Sequence, residues 1–407
     1  MQRVYDLERT LLHFERRNAV EVAILLLTIT ALSFRIFVPA SILNLFVDYT
    51  NDGGSPLVKF HLGAYALIGA LITAVFTRPF FLKGSELHQF RMLLHVVCMI
   101  ICLTLVIVTL SGFRATGFII DTYLLAMLAG LLLLTQSRPA RRSVGELIIA
   151  LMVLSALLGI GEVLTQERFL PFNEGEAVFR PTGLAGHPLA LGAHITLVMG
   201  FVPLTRWRVW LKVLLTLVLF VALAASGARL AMIAGGVQVL LLLYFSPWSS
   251  LPHQQAKKAR SATLVVVLTI GAFLILFLAA GGLLDRFSNG LVDENVMARV
   301  TIYQIFGYVS WRDIFFGMDA VTLLALVRAQ LDLPFIESAP VYIILTLGLP
   351  AAIAFTAVIV FFFTKLLKGA PVQAKIASLV FLAVDLSNNG LATKNPDIIL
   401  LTTLVIA

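Results

Sequence analysis

RMLLHVVCMIICLTLVIVTLSGFRATGFIIDTYLLAMLAGLLLLTQSRPARR, residues 91–142, decides the fold. Two apolar runs, 92–111 and 117–135, are joined by a short turn holding Arg114, and a loop with Arg138, Arg141 and Arg142 follows. Each run suffices for a helix to cross a hydrocarbon layer of about 30 Å. Neither alternates with period two, so both read as helices rather than strands. In lipid the backbone must satisfy its own hydrogen bonds, which leaves helices or closed barrels. Cys98 and Cys102 lie four apart inside the first run and read as small hydrophobes, not as a redox or metal pair.

The same pattern extends in both directions. The 407 residues are 59% hydrophobic and 13% charged, with a mean hydropathy of +0.97. A soluble domain carries about 25% charged residues, so this composition excludes a soluble globule of that length. Spans are predicted near 19–37, 61–77, 92–111, 117–135, 145–164, 188–204, 209–225, 229–246, 262–283, 339–364 and 374–387. A last apolar stretch, 398–407, is either a half-span or a twelfth span cut short. The expected fold is an all-α polytopic membrane protein of about 11–12 transmembrane helices, a single integral membrane domain over 1–407. The N-terminal MQRVYDLERTLLHFERRNAV reads as a retained cytoplasmic segment, not a cleaved signal peptide.

Charge sets the predicted orientation. With the N-terminus inside, alternation gives the inner loops nineteen Lys and Arg, at least three in each, and the outer loops ten. By the positive-inside rule the N-terminus is cytoplasmic. The net charge of +8 then sits largely in topology-setting loops, and no nucleic-acid partner is expected. Sixteen of the 22 acids fall at outer ends or outer loops. The longest outer loop, 284–338, carries apolar-periodic stretches at 296–309 and 320–331, read as short amphipathic surface helices.

Four outer-face features could carry chemistry. In FRPTGLAGHPLALGAH (179–194), Arg180 precedes a bend with Gly183, Gly186, His187 and Pro188. Glycines permit close backbone approach and the following helix N-terminus favours an anion; an ordinary loop leading into a span reads equally well. In ASGARLAM (225–232), Arg229 sits in a tight turn between two spans. An arginine at membrane depth costs about 2.5–3.5 kcal/mol at a helix centre unless it snorkels or finds an anion. In DRFSNGLVDENVMARVTIYQIFGYVSWRDIFFGMDA (285–320), Arg299 opens an amphipathic stretch and Trp311 begins an aromatic turn ending at Gly317; interfacial packing is the plainer reading. In IESAPVYIILTLGLPAA (336–352), Glu337 stands at the mouth of a span. It is either an anion on a helix N-terminus or a general base. Arginine forks suit a pyrophosphate, and a carboxylate can take a proton from an attacking hydroxyl. The combination fits transfer from a diphosphate-linked donor to an alcohol.

The order and spacing of these features resemble the O-antigen ligase and O-antigen polymerase family of lipid-linked glycan enzymes. Arg180 to Gly183 looks like that family's Arg-x-x-Gly loop, and Ser226 to Arg229 is similar to its Ser-x-x-Arg turn. Arg299 through Gly317 resembles its Arg-then-aromatic stretch. Glu337, Ser338 and Gly348 align with a His-Asn/Ser pair followed eleven residues later by Gly. The likeness covers residues 150–365; before that it rests on hydropathy. Ligases carry histidine where this chain has Glu337, which resembles the polymerase and exopolysaccharide branch more. Besides His194 and His61, His187 is the outer-face histidine that could substitute, although a structural role suits it better.

The resemblance implies a GT-C-like bundle in a bacterial inner membrane with a periplasmic active site. It implies metal-independent transfer of a glycan from undecaprenyl diphosphate to a sugar hydroxyl, on a glycan or lipid A-core acceptor, without a cofactor. Arg180 and Arg229 would grip the diphosphate, Arg299 would assist, and Glu337 would be the base or orient the acceptor. Gly183, His187 and Ser338 would line the substrate site. Two other classes compete: a lipid-linked oligosaccharide transporter or flippase, and a non-catalytic subunit of a polysaccharide export system.

Overall fold

The computed structural model describes residues 2–50, 55–77, 79–112, 116–172, 179–245, 252–280 and 294–407. Arg78, Arg114, Arg286 and the start of the 284–338 loop lie outside the described residues. Every described element is a helix, turn or loop. In chain order the helices are α1 (Gln2–Phe37), α2 (Leu62–Thr77), α3 (Ser85–Ser111), α4 (Leu125–Leu134), α5 (Arg138–Thr165), α6 (Pro188–Phe201), α7 (Val209–Ala225) and α8 (Arg229–Phe245). They continue as α9 (His253–Ala280), α10 (Glu294–Thr301), α11 (Trp311–Phe316), α12 (Ala320–Leu331), α13 (Ala339–Leu347), α14 (Leu349–Leu366), α15 (Val372–Leu386) and α16 (Asp397–Ile406). Among the described residues, four stretches are long and apolar enough to cross a membrane: Ala19–Phe37, Ser85–Thr109, Arg138–Thr165 and Leu349–Leu366. With large apolar side chains such as Leu105, Leu157 and Ile353 exposed on these helices, the chain is an all-α membrane protein.

Small residues let the helices approach closely, as expected where lipid gives no hydrophobic drive to association. A side chain on Gly200 of α6 would lie 2.4 Å from the Ala377 Cβ of α15. One on Gly63 of α2 would lie 2.8 Å from the Arg35 Cα of α1, and one on Gly130 of α4 would meet Ile406 of α16 at 2.8 Å. The C-terminal stretch is therefore neither lipid-facing nor peripheral. Ile398, Ile399, Leu400 and Leu401 are fully buried, and α16 packs on α4 and α6.

Charge separates the two ends of the long helix α5, which spans about 42 Å at ~1.5 Å per residue. At its start Glu86 accepts from Arg138 (2.8 Å) and from Arg141. Glu146 accepts from the backbone N–H of Arg206 at 2.8 Å, with Arg142 and Arg206 beside it. Loops that alternation assigns to one side thus meet at one end. At the other end of α5 lies Glu162 and the loop carrying Arg180.

Two expected spans are built differently. The 117–135 run opens with a π-helical segment, Ile119–Leu124, before α4. The 339–364 run is not one helix: it breaks at Gly348 (φ 82°) into α13 and α14. The break is filled by the aromatic turn of the preceding loop. A side chain on Gly317 (φ 83°) would sit 2.7 Å from the Thr346 carbonyl oxygen, and one on Gly348 would sit 2.5 Å from that of Phe315. The Met318 N–H donates to the Leu345 carbonyl at 2.7 Å. The amphipathic stretches form α10, a 3-10 segment Ile302–Gly307, and α12. Together with α13 they close a small separate core of Ile302, Ile305, Leu323, Val327, Ile336, Val341 and Leu345.

Candidate functional site

The Arg180 loop is held from below by a carboxylate that the sequence reading passed over. Glu162, wholly buried near the end of α5, accepts from the backbone N–H of Thr182 (2.6 Å), Gly183 (2.9 Å) and Phe169 (3.0 Å). Ser155, two turns earlier, accepts from the Leu184 N–H at 2.9 Å. Gly183 (φ 48°) has to be glycine here, because a side chain would lie 2.6 Å from the Ser155 carbonyl oxygen. Gly186 (φ 72°) passes the same way against Pro39. The glycines fit a loop sunk between helices.

That loop reaches the next motif. The buried Arg180 donates through Nε to the Ser226 carbonyl oxygen at 3.1 Å, across 46 positions. Ser226 caps the end of α7 and accepts from the Ala228 N–H at 3.3 Å, and half-buried Arg229 opens α8. The Arg-x-x-Gly loop and the Ser-x-x-Arg turn are therefore one assembly. Arg168 adds a donor to the Arg180 carbonyl oxygen (3.1 Å) and lies over the Phe172 ring at 4.2 Å. His187 caps α6, its Nδ1 accepting from the Leu189 N–H at 3.1 Å. Its ring thus caps the start of that helix.

The other two motifs form a second group. Arg299 Nε contacts Glu337 Oε2 at 3.1 Å, both side chains about 30% exposed or less, and Ser338 Oγ donates to the Tyr303 hydroxyl at 3.3 Å. Glu337 makes no capping hydrogen bond; Ser338 holds the N-cap position of α13 and its side chain caps nothing either. The two motifs run side by side, from Arg299–Glu337 at one end to the Gly317–Gly348 seam at the other.

Between these groups the structure buries an ionisable core. His194 Nε2 lies 2.5 Å from Asp397 Oδ1, with both side chains almost wholly enclosed, and Asp385 is buried beside Asp397. His194 Nδ1 and Asp385 Oδ2 have no hydrogen-bond partner. Arg35, 2% exposed, donates to the carbonyl oxygens of Asp121 (2.9 Å) and Asn395 (3.1 Å). The Tyr49 hydroxyl donates to the Asp121 carboxylate. Burial pushes the Tyr49 phenol well above its usual range, and burial draws the Lys394 ammonium down. The core joins both groups, since α6 carries His194 and α13 packs on the Gly390–Ala392 turn between Asp385 and Asp397. A visible signal existed: charges set inside apolar runs, Arg35 in 19–37 and Glu162 in 145–164, are costly and rarely idle.

No family model matches the chain, no curated protein matches it, and no solved structure matches it. Fold and site together define a class, an all-α membrane protein with a buried polar core beside two arginine-bearing motif pairs.

Proposed function

We propose that this chain is a periplasm-facing glycosyltransferase of the bacterial inner membrane, moving a glycan from undecaprenyl diphosphate to a sugar hydroxyl as an O-antigen or exopolysaccharide polymerase or ligase. One observation carries the reading: the hydrogen bond from Arg180 to Ser226, which unites two arginine motifs far apart in sequence. Arg180 and Arg229 would face the diphosphate as planar donors, a geometry that a point charge cannot reproduce. Stabilising the leaving diphosphate would supply the larger share of the rate. Glu337 would take the acceptor proton, its carboxylate oriented by Arg299. The α10–α13 unit would be the outer loop of a GT-C-like bundle of 11–12 spans.

The buried core favours a second reading. Enclosed His, Asp and Arg in membrane helices mark ion and proton paths in transporters, so an ion-coupled transporter of lipid-linked oligosaccharide is the rival. Cells lacking the protein separate the readings. Loss of long chains with single repeats retained indicates a polymerase. Long chains left on the lipid carrier indicate a ligase. Donor accumulating unextended in the cytoplasmic leaflet indicates the transporter and rejects the transferase.

A further inference from the structure

The depth of α11 in the molecule follows from α14. The eighteen residues of α14 rise about 27 Å at ~1.5 Å each, close to the ~30 Å of a hydrocarbon core. Lys365 in the last turn, with Lys368 beyond it, belongs to the headgroup layer at one end. Gly348, just before the first residue, then lies at the headgroup layer of the other leaflet. The last turn of α11 is fastened at that level, because the backbone of Phe315 and Phe316 lies against Gly348.

The side chains of α11 divide accordingly. Ile314 turns inward onto the small core shared with α12 and α13. Trp311 is 84% exposed, Phe315 52% and Phe316 58%, with exposed Arg312 in the same turn. α11 packs on α14, which itself starts with exposed Leu349 and Ile353. Tryptophan and its amphipathic neighbours settle where one side is apolar and the other wet.

We propose that α11 is a membrane anchor: Trp311, Phe315 and Phe316 lie in the headgroup–acyl boundary of the leaflet at the site end, with Arg312 on lipid phosphates. Through the Gly317–Gly348 seam the anchor holds the α10–α12 unit, and with it the Arg299–Glu337 pair, at a fixed height over the bilayer. The partner is the phospholipid surface itself, so the inference stands or falls separately from the catalytic reading.

Tryptophan quenching tests it. The chain has four tryptophans, so Trp207→Phe, Trp210→Phe and Trp248→Phe combined leave Trp311 as the sole fluorophore. The full-length protein is reconstituted in phosphatidylcholine nanodiscs containing lipid brominated at shallow or at deep acyl positions, and titrated with iodide. Shallow bromines are expected to quench severalfold more than deep ones, and iodide weakly. Strong iodide quenching without bromolipid quenching would put α11 in water and overturn the proposal. So would stronger quenching by deep bromines, or none by either agent. If the triple variant fails to fold, the difference signal between the native protein and Trp311→Phe gives the same readout.

Discussion

Glu162 shows how one enclosed carboxylate can shape a site it does not line. Three backbone N–H groups converge on it, and an enclosed donor left without an acceptor costs roughly 1–3 kcal/mol. Glu162→Ala is therefore expected to lower the thermal unfolding midpoint in detergent clearly, with Glu162→Gln intermediate because one oxygen remains; an unchanged midpoint in the alanine variant would contradict the assignment. On the proposed transferase reading, Glu337 would serve the chemistry instead. Its carboxylate pairs with Arg299, and if it is the base of that reading, Glu337→Gln is expected to leave expression intact and cut polymer yield about 10²–10⁴-fold, the usual cost of a lost general base. Near-normal polymer at matched protein level would remove it from the mechanism. The sequence made Arg180, Arg229, Arg299 and Glu337 visible as charges near apolar runs. It marked Glu162 as a costly charge but not as the support of the Arg180 loop, because partners that are backbone N–H groups leave no mark on residue identity.

At the scale of elements, helix positions were legible and the helix break was not. The apolar runs predicted as spans carry helices, because length and hydropathy alone specify a helix in lipid. Residues 339–364 read as one of them, since LTLGLPAA is apolar throughout. The break shows only in the pairing of Gly348 with Pro350, a glycine that takes positive φ before a proline in the first turn of the next helix. Its contact with Gly317 depends on a residue 31 positions away, beyond any local pattern. Gly348→Ala combines a disfavoured φ with a contact of 2.5 Å to the Phe315 carbonyl oxygen. It is expected to cost about 1–3 kcal/mol and to loosen α11, so limited proteolysis should cut near 310–320 faster than in the native protein. Equal cleavage rates would mean that the seam holds nothing.

For the whole molecule, the buried core is the feature that apolar patterning hid. Arg35, Asp121, His194, Asp385 and Asp397 come from five separate segments, each set in or beside an apolar run. Only the packing of α1, the Ile119–Leu124 segment, α6, α15 and α16 brings them together. Removing one member of a buried pair costs about 3–5 kcal/mol, so Asp397→Ala is expected to lower the unfolding midpoint by more than any exposed Asp→Ala change. A midpoint equal to that of Asp332→Ala would contradict the pairing with His194. That core also supplies the strongest argument for the transporter reading, which makes the decisive measurement a reconstitution. Purified protein in liposomes is given a polyprenyl-diphosphate-linked glycan with an acceptor glycan, in chelator, and both free polyprenyl diphosphate and glycan length are followed. The account predicts longer glycan with stoichiometric release of polyprenyl diphosphate, abolished by Arg180→Lys. Intact donor crossing between leaflets, with no release and no lengthening, would contradict it.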